Sequence, residues 1–425
     1  MTQLLPATSR ALLHDLATGQ ASDRQPSVVA GVVREGELVW SAGRGDVDDA
    51  TDTQYRIGSL TKTMTAVLVL QCRDEGLLSL DDPVSAYVPT SPWPDTPLRL
   101  LLGHAGGLPA EPPGPWWERH GGGILHELVA GLDGQPLALP AGSAFHYSNV
   151  GYALLGAVVE GVRGGTWWDV LRTRVLRPLG MSRTTYGPRP PYAQGRSVHP
   201  WSGRLDAEPH TDTGAMAPAG QLWSTVADLA RWASFWLAPD PAVLDAATAE
   251  QMHAPTVALA TGAWGLGLSL DTSRRQPRFG HGGSMPGFVA RLEVDPAERT
   301  AAVSLANATI GGGELAATLL DTVYRHEPAL PQPWTPEPEL SGTDELLGPW
   351  YWGNTTWTLL VRGGALQLDT ASPTRDSRFV PAGPDRWRGQ DAYFAGELLR
   401  VVRDLRGAID HLDLASYVLR RRPYA

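Results

Sequence analysis

The sequence predicts an α+β domain with an antiparallel sheet built from both ends of its chain, followed by a small all-β domain. Three observations support this. Residues 27 to 45 have a β-hairpin pattern, residues 264 to 307 contain further strand-like runs, and the long stretch between them is mainly helical. The last 80 or so residues hold short apolar runs separated by glycine turns, which is typical of a sandwich or barrel.

The first part of the chain begins with an amphipathic pattern around Leu12, Leu13 and Leu16, which predicts a helix. The hairpin follows, with Glu35-Gly36 at its turn. A pattern typical of a long helix runs from Thr61 to Asp74 and ends at Gly76. Later segments are predicted as a Pro/Gly-rich loop at 109–123, a helix at Val150–Val162 and a helix at Leu222–Leu237 capped by Ser224-Thr225.

The next part changes to a strand pattern, and a final helix is predicted at about Gly313–Tyr324. The predicted strands are Trp264–Leu270, Arg278–Gly283, Phe288–Val294 and Thr300–Ala306. Five prolines then indicate a stiff linker at 326–345. We therefore predict a first domain at 1–325 and a β-domain at 346–425, the latter with strand-like runs at 356–361, 365–368, 398–402 and 411–414.

Composition limits the partners. A net charge of −10 argues against a nucleic-acid backbone, and no Lys/Arg-rich run or long apolar stretch indicates membrane binding. The N-terminus lacks the pattern of a secretory leader, so we expect a cytoplasmic protein. The single cysteine, Cys72, excludes an internal disulfide and a cysteine-based zinc site, and it is predicted to lie in the core.

One residue stands out by its type. Of the 35 basic side chains only Lys62 is a lysine. Arginine stays protonated in proteins, whereas a desolvated lysine can serve as a neutral base, so a chain with one lysine is expected to need an amine there. Ser59 lies three residues earlier, and residues at that spacing share a helix face. The pair is predicted to be a nucleophile with its base, although Ser-x-x-Lys alone is a common chance pattern.

Further motifs follow in order. Tyr147 and Asn149 lie two apart just before a helix, and His281-Gly282-Gly283-Ser284 lies on a predicted strand edge. The stretch from Leu101 to Pro109 contains His104-Ala105-Gly106-Gly107. Together with Ser59-x-x-Lys62, these motifs resemble the penicillin-recognising serine acyl-transferases: class C β-lactamases, DD-peptidases and related esterases. The resemblance covers roughly residues 20 to 325 and uses the histidine form of the last motif. It implies a β-lactamase/DD-peptidase-like sheet flanked by helices, with a helical subdomain.

The resemblance also implies roles. Ser59 is the expected nucleophile, and either Lys62 or Tyr147 is the working base. Asn149 is expected to hold the lysine and a substrate amide, and His281 to orient the tyrosine or contact substrate. The N–H groups of Ser59 and Ser284 are expected to form the oxyanion hole. No metal or cofactor is expected, and His104 and His146 are predicted to be structural.

The small β-domain narrows the resemblance to penicillin-binding-protein-type thioesterases of nonribosomal peptide assembly lines, which carry a lipocalin-like domain. This implies a peptide or peptidyl-thioester substrate presented by a carrier protein, a D-configured C-terminal residue and release by head-to-tail macrocyclisation. Candidate substrate-binding residues are Gly282, Gly283, Trp116, Trp117 and Arg422. The alternatives are a hydrolase of the same superfamily (esterase, D-aminopeptidase or amidase, β-lactamase) and a catalytically idle penicillin-binding sensor.

Overall fold

The computed structural model describes residues 3–273, 278–309, 311, 313–327, 335–336, 340–372 and 374–424. The chain divides into two compact units, Met1–Ala329 and Leu330–Ala425. Most of the linker predicted at 326–345 lies outside the described residues. Among the helices described, none combines the length and the apolar character needed to cross a membrane.

The α-helices are α1 (Pro6–Ser22), α2 (Thr61–Asp74), α3 (Leu98–Leu102), α4 (Leu125–Leu132), α5 (Asn149–Arg163), α6 (Trp167–Leu171), α7 (Ala217–Gly220), α8 (Val226–Leu237), α9 (Ala246–Met252) and α10 (Leu315–His326).

The strands of the first unit are β1 (Ser27–Arg34), β2 (Glu37–Gly45), β3 (Tyr55–Arg56), β4 (Arg196–Val198), β5 (Leu205–Ala207), β6 (Trp223–Ser224), β7 (Val257–Ala258), β8 (Ala263–Trp264), β9 (Ser269–Asp271), β10 (Arg278–Met285), β11 (Phe288–Asp295) and β12 (Thr300–Ala306). Those of the second unit are β13 (Gly348–Trp352), β14 (Thr355–Arg362), β15 (Ala365–Asp369), β16 (Ser377–Pro381), β17 (Arg386–Gly389), β18 (Leu398–Arg403), β19 (Ile409–Leu414) and β20 (Tyr417–Leu419).

The main sheet of the first unit joins the two ends of its sequence. Its order is β2-β1-β12-β11-β10-β9-β8-β7, and every pairing between neighbours is antiparallel. Successive side chains of β1 pack on opposite faces: Val28 and Val32 lie in the cluster formed with α1 and α10, whereas Val29 and Val33 lie in the larger cluster that includes α2 and α8. The sheet is therefore covered on both faces, and the predicted α+β fold with a central antiparallel sheet is confirmed.

Helix α2 lies in the centre of the larger cluster. All its residues except Arg73 and Asp74 are buried. Two threonines on it accept hydrogen bonds from buried indoles: the Trp232 Nε1 donates to Thr63 Oγ1 at 3.0 Å, and the Trp167 Nε1 donates to Thr65 Oγ1 at 3.1 Å. Each such bond contributes about 1 kcal/mol and satisfies the buried N–H group that donates it. The helix that carries the predicted Ser-x-x-Lys motif is consequently fixed from all sides.

A single 3₁₀ turn, Gly58–Leu60, leads into α2 and lies against β10. Gly58 has φ of +52°, and a Cβ on it would stand 2.6 Å from the Ser284 amide nitrogen. A Cβ on Gly283 would stand 1.9 Å from the Ile57 carbonyl oxygen. Only glycine permits this approach of two backbones, because both contacts are shorter than any side chain tolerates.

The second unit is one antiparallel meander, in the order β13 to β20. Its ends meet where Tyr351 and Arg420 exchange backbone hydrogen bonds of 2.7 and 2.9 Å, which makes a nearly closed eight-stranded barrel. Its core is built from side chains that alternate along the strands, among them Trp350, Trp357 and Phe379. Strands β13, β16, β17 and β20 were not predicted because short runs carry too few apolar positions to show a period of two.

Two predicted elements differ from the structure by more than two residues at an end or in the number of strands. The helix predicted at Leu222–Leu237 begins at Val226, with Thr225 as N-cap accepting from the Asp228 amide, while Trp223-Ser224 form β6 paired with β3. The strand predicted at Trp264–Leu270 is two strands, β8 and β9, because the chain turns back where the Gly265 amide donates to the Leu268 carbonyl.

Replacing Gly58 by alanine is expected to destabilise the first unit by about 3 kcal/mol, from left-handed backbone strain plus the clash with Ser284. The measurement is urea unfolding monitored by tryptophan fluorescence.

Gly76→Ala is the matched control. Gly76 also has positive φ, of +72°, but nothing lies within 4 Å of its added Cβ. The Gly76→Ala substitution should lower the free energy of unfolding only by the backbone strain, about 1 kcal/mol. Equal losses for the two variants would show that the contact between the turn and β10 is unimportant.

Candidate active site

Ser59 is the partly exposed residue of an otherwise buried turn, at the N-terminal end of α2. The Lys62 Nζ donates to Ser59 Oγ at 2.8 Å and to the Ala219 carbonyl, on α7, at 2.6 Å. The position at a helix N-terminus favours negative charge developing on the serine oxygen. The predicted neighbours are thus in direct hydrogen-bond contact, as a nucleophile and its base must be.

Burial changes the protonation of Lys62. Its side chain is fully buried, and this desolvation lowers its pKa to about 7. The negative charges of Glu111 and Glu118 act in the opposite direction and keep the pKa from falling further. A large fraction of Lys62 is therefore a neutral amine near pH 7, which can accept the Ser59 proton.

Tyr147 is hydrogen-bonded to Ser59, and burial raises its pKa above the usual value. The centroid of its ring lies 5.0 Å from the Lys62 Nζ. The ring is stacked on the imidazole of His104, and the two ring centroids are 4.1 Å apart. A phenol with a raised pKa stays protonated at neutral pH, so it can donate one proton while accepting another. The sequence left two candidates for the base, Lys62 and Tyr147. The lowered pKa of Lys62 and the raised pKa of Tyr147 favour Lys62 as the base and Tyr147 as a proton relay.

Asn149 opens α5 but has partners other than those expected. Its Nδ2 donates to the Glu111 Oε1 at 2.8 Å, and its Oδ1 is buried with no described hydrogen-bond partner. The described bonds of Lys62 go to Ser59 and Ala219 instead. The expectation that Asn149 holds the lysine is therefore corrected: the loop carboxylate binds the asparagine amide in its place.

His281 lies on β10 opposite Leu292 of β11. On the other side β9 pairs only with Arg278–Gly280, so His281 begins the part of β10 that turns toward Ser59. Burial, and secondarily the charge of Lys62, lowers its pKa to about 3. Its Nδ1 contacts the Gly282 carbonyl, and its buried Nε2 has no described partner. His281 is thus a neutral imidazole, with its ring centroid 6.3 Å from that of Tyr147.

The backbone segments that carry the Ser59 and Ser284 amides lie against each other. The Cβ position of Gly58 is 2.6 Å from the Ser284 nitrogen, and that of Gly283 is 3.2 Å from the Ser59 nitrogen. Two backbone N–H groups brought together beside a serine oxygen are the arrangement that stabilises the oxyanion of acyl transfer. Rigid contact between the turn and β10 keeps both donors in place before any substrate binds.

The sequence reasoning missed the two glutamates on the 109–123 loop. The Glu111 Oε2 accepts from the Trp117 Nε1 at 2.6 Å, and the Glu118 Oε2 accepts from the Trp116 Nε1 at 2.8 Å. Burial raises the pKa of Glu118, and the charge of Glu111 adds to this. In the sequence these glutamates could be noticed only as two carboxylates in a loop that also contains Trp116 and Trp117. A loop has no periodic pattern that would predict which of its side chains face Lys62.

The remaining candidates lie at varied distances from this chemistry. Trp117 is buried and lines a cavity of about 250 Å³ with Met216 and Leu128, whereas Trp116 is 52% exposed. His104 supports Tyr147, and its Nδ1 accepts from the Ser148 amide at 3.1 Å. Arg422 is an exposed residue after β20 in the second unit. Among the residues described, no three His, Cys, Asp or Glu side chains are grouped so as to hold a metal ion.

Comparison with known families agrees with this geometry. A family model described as Beta-lactamase matches residues 14–323, and a model described as a domain of unknown function matches residues 340–421. Penicillin-binding protein 4 of Amycolatopsis lactamdurans is 29% identical over 333 residues, which are 70% of this chain and 86% of that protein. Beta-lactamase-like protein 2 of Dictyostelium discoideum is 31% identical over 252 residues, 54% of this chain but only 45% of that protein.

Two solved structures extend the comparison to nearly the whole chain. The structure of SurE with D-Leu is similar with a TM-score of 0.62 and 26% identity, over 98% of this chain and 100% of that one. The octameric penicillin-binding protein homologue from Pyrococcus abyssi has a TM-score of 0.67 at 20% identity, over 96% and 99% of the two chains, which shows a shared fold.

Lys62→Arg is expected to lower kcat/KM about 1000-fold, because a permanently protonated guanidinium cannot accept the serine proton. Ser59→Ala should remove acyl-enzyme formation altogether. Mass spectrometry of the intact protein and turnover of an activated ester measure the two effects. Arg177→Lys, an exposed exchange of the same two side-chain types, is the control and should change nothing. Activity retained in Lys62→Arg would refute the base assignment.

The pH dependence follows from the Lys62 pKa of about 7. Acylation needs the neutral amine, so kcat/KM should rise through pH 7 and fall below it by about tenfold per pH unit. Glu111→Gln removes a negative charge that favours the ammonium form of Lys62. The acidic limb of the pH profile of kcat/KM should therefore move to lower pH. Asp206→Asn, on the exposed strand β5, should leave it unmoved. A limb that moves to higher pH in Glu111→Gln would contradict this electrostatic account.

Proposed function

We propose that this chain, which belongs to the beta-lactamase family, is a serine acyl-transferase. It forms an acyl-enzyme on Ser59 and releases a peptide from a thioester. The observation that carries the proposal is the 2.8 Å contact between Ser59 Oγ and a buried lysine with a pKa of about 7. That pair supplies a nucleophile and a neutral base at physiological pH.

In acylation, Ser59 Oγ gives its proton to Lys62 and attacks the thioester carbonyl. The negative charge that develops on the carbonyl oxygen is stabilised by the amides of Ser59 and Ser284. The carbon–sulfur bond then breaks, and the proton passes through Tyr147 to the departing thiolate, which leaves as a free thiol. The products are the ester on Ser59 and the thiol, with Lys62 again neutral.

Deacylation runs through the same groups in reverse. An incoming amine attacks the ester carbonyl and forms the new amide bond. One of its N–H protons passes through Tyr147 and Lys62 to Ser59 Oγ as the ester bond breaks. If the amine is the free N-terminus of the bound peptide, the product is a head-to-tail macrocycle. If water attacks instead, the product is a linear acid, so acceptor choice alone separates a cyclase from a hydrolase.

Features of the site favour a peptidyl thioester as substrate. His281 is neutral and offers a hydrogen bond rather than a fixed positive charge, which suits a leaving group without a carboxylate better than a terminal D-alanine. The cavity lined by Trp117 and Met216 suits an apolar acyl chain. The similar SurE structure contains D-Leu, which supports a D-configured residue at the acyl position.

The C-terminal unit enters the proposal as a lipocalin-like domain that contributes to substrate selection, with Arg422 as its candidate contact. A carrier protein that presents the thioester is part of the same proposal. Hydrolysis of a D-aminoacyl ester or amide by the same acyl-enzyme is the second candidate, and the neutral His281 is equally compatible with it.

A synthetic peptide thioester ending in a D-residue tests the proposal. We expect a product 18 Da lighter than the linear acid (the mass of one water), a cyclic peptide formed only with intact Ser59, detected by mass spectrometry. The same thioester with its C-terminal residue in the L-configuration is the matched control and should not acylate the enzyme.

Linear acid alone, across several peptide sequences, would favour the hydrolase. Stable labelling by a fluorescent penicillin without turnover of any ester or thioester would favour a sensor.

A further inference from the structure

The 109–123 loop brings negative charge beside the nucleophile. The indole of Trp117, which donates to the Glu111 Oε2, ends 3.6 Å from the Cβ position of Gly220. The same position is 3.7 Å from the carbonyl carbon of Gly58, the residue before Ser59. Glu111 also holds the Asn149 amide. The exposed Glu111 side chain is therefore bound to Asn149 at the start of α5 and to Trp117, whose ring lies near Gly220 of α7.

Glu118 is anchored near the same turn. Its backbone carbonyl accepts from the Thr211 Oγ1 at 2.8 Å, and the Thr211 carbonyl accepts from Arg56, three residues before Ser59. The charges of Glu111 and Glu118 both act on Lys62 and on Tyr147. The loop thus carries two carboxylates whose negative charges act on Lys62 and Tyr147.

Neither carboxylate is neutralised by an ion pair among the described residues. Lys62 directs its described bonds to Ser59 and Ala219. Arg56 also acts on Glu118 through its charge, but its described bonds go to Thr211 and Gln221. A carboxylate has about four lone-pair positions, so Glu111 and Glu118 each keep capacity beyond the indole and amide bonds they accept.

An independent observation indicates a missing donor. Asn149 is 6% exposed, and its Oδ1 is buried with no described partner, while the other atom of the same amide is held by Glu111. A buried acceptor of this kind costs free energy unless a ligand supplies an N–H. Acceptors and negative charge together select a group with several N–H donors and a positive charge, and they repel an anion.

We propose that Glu111, Glu118 and the Asn149 Oδ1 form a subsite for a primary ammonium group of the substrate. The inference rests on the proposed acyl transfer at Ser59 and names what that site recognises beside the acyl carbonyl. Two sources share this chemistry. One is the α-ammonium of the acylated residue in a D-aminoacyl ester or amide, the substrate of the second candidate function. The other is the amino terminus of a peptidyl substrate, which binds as the acceptor and releases one proton to solvent before it attacks.

A binding measurement tests the subsite without turnover. In Ser59→Ala protein, D-leucinamide should bind at least tenfold more tightly than N-acetyl-D-leucinamide in calorimetry, because acetylation removes the charge and two donors. Glu118→Gln in the same background should abolish that preference, since glutamine keeps an acceptor for Trp116 but not the charge. Asp206→Asn is the control and should preserve it. Equal affinity of the two amides would overturn an acyl-residue source.

The acceptor source is tested with wild-type enzyme and an N-acetyl-D-leucyl thioester. Increasing concentrations of L-leucinamide should divert the acyl-enzyme from acid to amide, and Glu118→Gln should need at least tenfold more L-leucinamide for the same ratio. Because both products come from the same acyl-enzyme, this ratio does not depend on any effect of the variant on the rate of acylation. The subsite is refuted if neither the binding preference nor this ratio depends on Glu118. A wild-type enzyme that forms no acyl-enzyme refutes the proposed function instead, and the calorimetry then decides the subsite alone.

Discussion

The burial of the Lys62 amine is the constraint on which the site depends. An ammonium removed from water loses its hydration, and the protein shifts the equilibrium toward the neutral amine rather than bear that cost. The Ala219 carbonyl and Ser59 Oγ are hydrogen-bond partners that both the neutral amine and the ammonium can use. Two loop carboxylates limit the fall of the pKa. The balance places the lysine near neutrality, where it can both take and return a proton.

Maintaining that balance requires a dry and rigid surrounding, which the fold supplies from distant parts of the sequence. Helix α2 is enclosed by α5, α6, α7 and α8, with Trp167 and Trp232 bonded to its threonines. The turn at Gly58 is held by β10, which belongs to the far end of the first unit. Since the Ser59 and Ser284 amides, the proposed oxyanion donors, lie at that same contact, one support holds both the nucleophile and these two amides.

Charge in the site is unevenly distributed. The histidines at 104 and 281 are neutral because they are buried, so neither competes with Lys62 for protons or offers a cation to substrate. The carboxylates of Glu111 and Glu118 on the 109–123 loop act on Lys62 through their charges, and we propose that they contribute to substrate selection. Ser59 and Lys62 thus lie in and beside a packed helix, whereas two of the three groups of the proposed subsite lie on a loop and the third, Asn149, opens α5.

The sequence by itself determined the elements with strong periodicity and the residue types of the reaction. Helices α2 and α5 and strands β1, β2, β10, β11 and β12 of the central sheet were predictable because long apolar patterns leave one buried arrangement. A lone lysine three residues after a serine was visible by type and spacing. Only the tertiary structure decided that Asn149 binds Glu111 rather than Lys62, that β8 and β9 are separate strands, and that eight short strands nearly close a barrel. Those outcomes depend on contacts between residues far apart in the chain, and on how deeply each charge is buried, and neither quantity is encoded in local spacing.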